Sequence, residues 1–364
     1  MRNRLHHNRL LWIWTIAVLT VSMHTLAAEP ESRETDSKTI IFEHLKDSYW
    51  WHITTIGEHH VSVYLPVIVY SQSSGLHAFS SSCIAHGETY EGFYIARGGD
   101  YDGKVVERSA AGEEVRPVDI SLTKTAFALI FNSMLMLVIF LSVAAWYRRH
   151  PKHIAPGGFV GAVEMFVMNI EEDVIRKSIG KDYAKYSPYL LTAFFFILIN
   201  NVMGLVPVFP GGANTTGNIA VTFTLALCTM LAINLFGNRE YWKEIFWPEV
   251  PMWMKAPAPL MPLIEIAGVI SKPFALMIRL FANITAGHAI ILSLMALIFV
   301  TTKMGMAMNT GMTVFSVFLS VFMTCLELLV AYIQAYVFTI LSAVFIGLSR
   351  HEAHAEKRTS NQTK

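Results

Sequence analysis

Charged side chains are scarce in this sequence. Asp, Glu, Lys and Arg together make up 15% of the 364 residues, and the 28 basic and 27 acidic side chains leave a formal net charge of +1. A protein that binds nucleic acid through its phosphates needs a strongly basic surface. The composition therefore excludes a nucleic-acid partner, and an apolar fraction of 53% is typical of a membrane protein.

Cysteine is nearly absent as well. The three cysteines, Cys83, Cys228 and Cys325, lie far apart, so the sequence supports neither a disulfide framework nor a metal site. The chain also lacks the G-x-x-x-x-G-K-[ST] loop that holds nucleoside phosphates and the G-x-S-x-G and H-E-x-x-H motifs of hydrolases. We therefore expect no cofactor and no nucleotide chemistry in this chain, and an intramembrane protease is disfavoured.

Apolar residues are concentrated in five long segments. Each is long enough to cross the ~30 Å hydrocarbon core of a bilayer as a helix. The last two contain about forty residues, roughly twice what a perpendicular span requires, so they must tilt steeply or bend. We predict an all-α polytopic membrane protein with five transmembrane helices, at about residues 122–147, 189–209, 219–236, 262–301 and 311–348.

The N-terminal region divides into a leader and a polar domain. Three arginines precede an apolar run at residues 10–21 and small residues that end at Ala28. This arrangement predicts a cleavable signal peptide at residues 1–28, and the alternative is an uncleaved membrane anchor. Residues 29–120 are polar, with short runs that are typical of strands. We predict a small extracytoplasmic domain there that is β-rich or irregular.

Basic residues are distributed unevenly among the loops. Arg and Lys follow the first, third and fifth spans, whereas the loop 210–217 has neither and the loop 301–310 has only Lys303. The positive-inside rule therefore places the N-terminal domain outside and the polar tail 351–364 in the cytoplasm. An amphipathic stretch at residues 161–177 is predicted to lie along the membrane surface.

A single arginine, Arg279, lies deep in the fourth span. Placing a permanent cation there costs at least ~3 kcal/mol on insertion scales. The alternative, an arginine that reaches the lipid headgroups, is disfavoured because roughly twenty residues lie on either side of it. The surrounding residues follow the pattern K-P-x(5)-R-L-F-x-N-x-x-A-G from Lys272 to Gly287. This segment resembles the arginine segment of subunit a of F-type ATP synthases.

Two polar pairs form if the fourth and fifth spans make an antiparallel hairpin. Glu327 and Gln334 are seven residues apart and share one face of the fifth span. A register that sets Gln334 level with Arg279 also sets Glu327 level with His288. We interpret His288 and Glu327 as a pair that relays protons from outside. The alternative is a static ion pair that only sets the helix register.

The resemblance implies a role for each of these residues. It makes Arg279 the essential stator arginine, Asn283 its neighbouring asparagine and Gln334 the glutamine that faces the arginine. Many bacterial members have a carboxylate at the position of His288 and a histidine at the position of Glu327. This chain exchanges both, which keeps one acid and one imidazole in contact.

Weaker candidates lie along two paths for protons. Five polar residues flank the outer ends of the second and third spans and are candidates for the lining of an uptake path: Asn218, Thr222, Asn200, Asn201 and Asn214. Family members commonly have an aspartate at the position of Asn218. Glu265, nearer the cytoplasmic end of the fourth span, is a candidate for the release path, and a glutamate at headgroup level is the alternative.

The resemblance covers roughly residues 120–352, including the transmembrane domain predicted at residues 121–350, and leaves the role of the N-terminal domain open. It implies the non-catalytic proton-channel stator of a bacterial Fo sector, in the cell inner membrane. Its partners would be the c-subunit ring, the b subunits, other ATP synthase subunits and the lipid bilayer. The runner-up is a self-contained ion-coupled secondary transporter, which predicts internal repeats, and the sequence contains no convincing repeat.

Overall fold

The computed structural model describes residues 47–350 apart from short gaps. The gaps are residues 57–58, 97, 100, 109–113, 151–153, 207–210, 236, 238, 247–259 and 302–304. The predicted signal peptide at residues 1–28 and the predicted tail at residues 351–364 lie outside the described residues.

Short antiparallel strands make up the described part of the N-terminal domain. They form three small sheets, with pairing β1–β2, β4–β3–β8 and β5–β6–β7. The prediction of a small β-containing N-terminal region is therefore confirmed. The strands are β1 (Trp50–Ile56), β2 (His59–Tyr64), β3 (Pro66–Ser71), β4 (Gly75–Ser80), β5 (Phe93–Ile95), β6 (Val105–Arg108), β7 (Glu114–Val115) and β8 (Val118–Asp119), with a 3-10 helix at Ser81–Gly87.

Strand β3 contributes two valines to the hydrophobic core of this domain. Val67 and Val69 are fully buried, while Tyr70 on the other face is exposed, because successive side chains of a strand point to opposite faces. The two valines pack with Ile84 and Phe93. Burying each such side chain contributes about 1.5–3 kcal/mol.

The hydroxyl of Tyr49 joins two of the sheets. It donates to Oδ2 of Asp119 at 2.5 Å and accepts from the backbone N–H of Val105 at 3.3 Å. Burial, with the Asp119 carboxylate, raises the pKa of Tyr49, so the hydroxyl keeps the proton that it donates.

Eight helices follow the strands in the described part of the chain. A π-helical turn at Asn169–Ile175 joins α2 to α3, and a 3-10 turn at Gly180–Asp182 separates α3 from α4. The helices are α1 (Lys124–Arg149), α2 (Gly158–Met168), α3 (Arg176–Ile179), α4 (Tyr183–Leu205), α5 (Ile219–Leu235), α6 (Arg239–Phe246), α7 (Leu260–Thr301) and α8 (Met306–Arg350).

The start of α1 is held by side chains that satisfy its free N–H groups. Oγ1 of Thr123 accepts from the N–H of Ala126 at 3.3 Å, and Oδ1 of Asp47 accepts from the N–H of Thr125 at 2.9 Å. Such caps contribute roughly 0.5–2 kcal/mol each. Because Asp47 belongs to the N-terminal domain, the same bond ties that domain to α1.

Four helical segments in the described part of the chain are long and apolar enough to cross a membrane. They are Lys124–Arg149, Gly158–Leu205, Leu263–Ile298 and Met308–Ser349. The third predicted span corresponds to α5, which is apolar but has 17 residues, or ~26 Å. A polytopic helical membrane protein is therefore confirmed, whereas the count of five spans stays a prediction.

The segment Gly158–Leu205 is not a single straight helix. Gly180 has φ of 77°, a left-handed conformation that glycine adopts without the steric cost of a Cβ. The part before Gly180 carries charged side chains, with ion pairs between Arg176 and Glu172 and between Lys177 and Asp173. Such charges are costly in hydrocarbon, so we assign the spanning part of this segment to α4.

Helices α4, α7 and α8 pack around one apolar cluster. Because lipid tails are as apolar as these side chains, close van der Waals packing holds the helices together. Helix α8 also approaches α3 closely at Gly347, where an added Cβ would lie 2.2 Å from the carbonyl oxygen of Ser178. The cluster includes Leu190, Phe194 and Ile197 of α4, Leu276 and Leu280 of α7, and Ala335 and Phe338 of α8.

Candidate functional site

Arg279 lies on the outer face of α7. Leu276 and Leu280 are buried against the neighbouring helices, whereas Arg279 is exposed at the surface of the single chain. No residue that the structure describes makes a hydrogen bond or an ion pair with it. The permanent cation near the middle of this apolar helix therefore points away from the rest of its own chain.

Gln334 of α8 is paired with Asn283. Nδ2 of Asn283 donates to Oε1 of Gln334 at 2.9 Å, and Gln334 is buried. The predicted register set Gln334 level with Arg279, so the observed bond is displaced by one turn of α7. The amide pair holds α7 and α8 in register beside the arginine.

His288 and Glu327 meet across the same interface. Nδ1 of His288 lies 3.4 Å from Oε1 of Glu327, and the side chains are 17% and 5% exposed. Neither oxygen of Glu327 has a hydrogen bond to the described residues. The structure therefore brings together the acid and the imidazole that the antiparallel register predicts, in a contact longer than a good hydrogen bond.

Two glycines lie next to this pair. A Cβ added at Gly287 would lie 2.6 Å from Oε1 of Glu327, which is closer than real contacts. A Cβ added at Gly204 of α4 would lie 3.6 Å from Nε2 of His288. Since glycine lets a backbone approach another group closely, Gly287 allows α7 to approach the Glu327 side chain of α8, whereas a methyl group at Gly204 would make an ordinary van der Waals contact.

A network of buried amides and hydroxyls lies next to these groups. Nδ2 of Asn132 in α1 and Oγ1 of Thr215 both donate to Oδ1 of Asn200, each at 3.0 Å. Oγ1 of Thr216 donates to Oδ1 of Asn201 at 2.7 Å, and Nδ2 of Asn201 donates to the carbonyl oxygen of Ala331, one turn after Glu327, at 3.4 Å.

The sequence reasoning found part of this network and missed the rest. Asn200 and Asn201 were candidates, whereas Asn132, Thr215 and Thr216 were not. Asn132 stands in the first apolar span, and a buried amide within a membrane needs a hydrogen-bond partner. Its position in the sequence could therefore have indicated a partner on another helix.

The side chains of Asn218 and Thr222 form hydrogen bonds with backbone groups at the start of α5. Oδ1 of Asn218 accepts from the N–H of Ala220 at 3.0 Å, and the hydroxyl of the buried Thr222 donates to the carbonyl oxygen of Ile219 at 3.1 Å. Both side chains therefore bond to local backbone, and their predicted place in a channel lining stays a prediction.

Glu265 is half-buried and lies near the short helix α6. Burial, with the nearby charge of Glu265, raises the pKa of Tyr241 in that helix. The hydroxyl of Tyr241 donates to Oδ1 of Asn234 at 3.4 Å. A carboxylate, a phenol and an amide thus gather at the end of α5 and the beginning of α7.

These features define a class of protein. The chain is a multi-pass helical membrane protein whose two longest helices carry a cation and an acid–imidazole pair inside apolar segments. Among sequence families, the one described as ATP synthase A chain matches residues 129–347. The chain belongs to this family.

Individual relatives support the same assignment. An ATP synthase subunit a of Chlorobium phaeobacteroides is 40% identical over 302 residues, which cover 79% of this chain and 84% of the relative. That of Pelodictyon phaeoclathratiforme is 43% identical over 66% of this chain and 68% of the relative. An ATP synthase subunit a of Myxococcus xanthus is 38% identical over 65% of this chain and 75% of the relative.

The N-terminal domain matches a different family. Residues 40–124 match one described as a domain of unknown function, DUF8433. The two matched segments meet at the beginning of α1, where Asp47 is bonded to the helix.

Proposed function

We propose that this chain is the proton-conducting stator of the Fo sector of an F-type ATP synthase. In this role it provides separate uptake and release paths to a rotating ring of c subunits. Protons that cross the membrane by way of the ring then drive ATP synthesis in other subunits. Its partners are the ring, the b subunits and the remaining subunits of the complex.

The exposed Arg279 carries this proposal. A guanidinium inside an apolar helix, without a partner among the described residues, calls for an anion from another chain. A carboxylate on a passing ring subunit meets that need, because the fixed cation favours its ionised form. Since a guanidinium keeps its proton at accessible pH, this side chain also keeps protons from leaking directly between the two paths.

His288 and Glu327 are the proposed final relay on the uptake path. An ionised carboxylate without hydrogen bonds is costly in apolar surroundings, so Glu327 is suited to exchange a proton with the neighbouring imidazole. His288 donates or accepts at Nδ1 on the Glu327 side, and Nε2 faces Gly204. The hydrogen bond between Asn283 and Gln334 fixes α7 relative to α8. The distance between Arg279 and the His288–Glu327 pair therefore stays constant.

The polar residues around α4 and α5 support the proposed uptake path. Asn200 is bonded to Asn132 of α1, and Asn201 is bonded to the backbone of α8 at Ala331, one turn after Glu327. Asn218 and Thr222 extend this polar region, and Glu265 lies at the proposed release path on the cytoplasmic side.

The distribution of basic residues supports the membrane orientation that we propose. The protein lies in the bacterial inner membrane with five spans, a periplasmic N-terminal domain and a cytoplasmic C-terminus. In this orientation, α5 is the third span and is the shortest of the five.

Co-purification combined with transport tests the proposal. Affinity isolation of the tagged chain should recover a small ring-forming subunit with an intramembrane carboxylate, identified by mass spectrometry. Liposomes that contain this chain alone should not conduct protons, and adding the ring and the b subunits should start conduction. Substrate-coupled ion transport by the chain alone would instead establish the secondary transporter.

A further inference from the structure

The first two strands of the N-terminal domain pack against the beginning of α1. Trp51 of β1 lies opposite Val63 of β2, so both side chains point to the same side of this pair of strands. Trp51 is 4% exposed and packs with Ala128 of α1 and with Ala213 in the loop that follows α4. The ring of Phe127 meets that of Trp51 edge-on, with centroids 6.0 Å apart. One tryptophan therefore joins a strand, the start of a membrane span and a distant loop.

The buried network of amides and hydroxyls lies next to this contact. Asn132 follows Ala128 by four residues, so the two side chains share one face of α1. Thr215 follows Ala213 by two residues in the loop. Asn132 and Thr215 both donate to Oδ1 of Asn200, each at 3.0 Å. The aromatic ring and the Asn200 amide therefore bridge the same two segments, α1 and the loop, at neighbouring positions.

The loop folds back over the end of α4. The N–H of Gly212 donates to the carbonyl oxygen of Met203 at 3.0 Å, and φ of Gly212 is 76°, a left-handed conformation that glycine adopts readily. This reversal brings Ala213 to the aromatic ring and Thr216 to Asn201, whose Nδ2 donates to the backbone of α8. The position of the loop therefore decides whether two buried amides of α4 keep their partners, and a buried polar group that loses its partner is costly.

We propose that the N-terminal domain holds the loop 211–218 against α1, with Trp51 as the positioning residue. Through this contact the domain keeps Thr215 and Thr216 within hydrogen-bonding distance of the two asparagines of α4. The inference rests on the proposed function, in which those asparagines belong to the uptake path. It gives the domain a part in proton conduction through packing alone, because Trp51 acts on the network by way of the loop.

Hydrogen exchange, measured by mass spectrometry on the purified complex, tests the position of the loop. In Trp51→Ala, the backbone amides of residues 211–218 should exchange faster than in the parent chain, because Ala213 loses the ring against which it packs. Trp51→Phe keeps an aromatic ring at this place and should exchange at nearly the parent rate. Val69→Ala is the matched control. Val69 is fully buried in the same domain but belongs to a separate cluster, so its change should leave exchange in the loop unaltered.

Passive proton conduction in vesicles stripped of the catalytic sector provides the second readout, at equal recovery of the complex. We expect Trp51→Ala to lower conduction several-fold, and Trp51→Phe and Val69→Ala to keep most of it. In a chain with Thr215→Val and Thr216→Val, the loop lacks both hydroxyl donors to the asparagines. Adding Trp51→Ala to that chain should then have little further effect, because residues that act through the same contact are not additive.

Three results would overturn the inference. One is unchanged exchange of the loop in Trp51→Ala, and another is an equal increase in Val69→Ala. The third is a loss of conduction on Trp51→Ala by the same factor with and without the two threonine hydroxyls, since the tryptophan would then act by another route. Hydrogen exchange does not depend on the proposed function. A parent complex that conducts no protons would refute that function, and the exchange data would still decide whether Trp51 positions the loop.

Discussion

The imidazole of His288 on α7 lies 3.4 Å, from Nδ1 to Oε1, from the carboxylate of Glu327 on α8. The contact joins two ionisable groups inside apolar helices, where such groups are rare and usually functional. Gly287 leaves the space that the Glu327 carboxylate occupies. Because Gly287 lies directly against Glu327, a substitution at this position or within the pair should change proton conduction.

Exchanging the two side chains should show whether they act as a pair. His288→Glu or Glu327→His alone puts two like groups in contact, which disfavours their charged forms, and should slow proton conduction sharply. The double exchange restores one acid and one imidazole and should recover part of the rate. A coupling free energy below about 0.5 kcal/mol in the double-mutant cycle would mean that the residues act independently.

Gly287→Ala should disturb Glu327 without changing any ionisable group. The added methyl group would lie 2.6 Å from Oε1 of Glu327, so the carboxylate must move from its position beside His288. Passive proton conduction in stripped vesicles should therefore fall several-fold. Gly268→Ala on the same helix is the matched control, because its methyl group meets nothing within 4 Å. Equal conduction by both variants would contradict the prediction.

Arg279→Ala should abolish ATP-driven proton pumping in inverted vesicles while the complex still assembles. The reason is that no fixed cation then meets the ring carboxylate. Arg279→Lys should also fail, because an ammonium can lose its proton and lacks the planar guanidinium fork. Lys272→Gln removes a cation from the same helix, one that lies 5.4 Å from the ring centroid of Phe345, and should keep most of the activity. Coupled pumping by a well-assembled Arg279→Ala complex would refute the role of the arginine.

Gly347→Ala should weaken the packing of α8 against the segment that contains Ser178. Its methyl group would lie 2.2 Å from a backbone carbonyl oxygen, which cannot move as a side chain can, so we expect a loss of about 1–3 kcal/mol. A lower unfolding temperature of the purified protein in detergent is the measurement. Gly311→Ala, whose methyl group meets nothing within 4 Å, should leave that temperature unchanged. A shift of equal size in both would argue against close packing as the cause.

The mature protein from native membranes should begin near Glu29. The basic, apolar and small-residue stretches at the start of the sequence predict cleavage after Ala28. N-terminal sequencing is the measurement, and an intact Met1 would contradict cleavage. Protease accessibility in right-side-out vesicles then tests separately whether residues 29–120 lie outside.

The residues of the candidate site can be predicted from the sequence where an ionisable side chain interrupts an apolar segment. Arg279, His288 and Glu327 each break an apolar run, and the positions of Glu327 and Gln334 suggested an antiparallel register. The partner of Gln334 was not predictable, because side-chain length and helix rotation decide whether it meets Arg279 or Asn283, one turn away. Asn132 was missed because its partner Asn200 lies on another helix.

Hydropathy and charge are sufficient to identify a membrane protein and the side chains that are costly in hydrocarbon. Both are local properties, and the cost of a buried cation follows from composition alone. Which of these side chains meet, and that Gly180 interrupts the segment Gly158–Leu205, became known from the packing of the folded chain. Those relationships depend on how closely backbones approach and how helices rotate, which packing between distant segments sets.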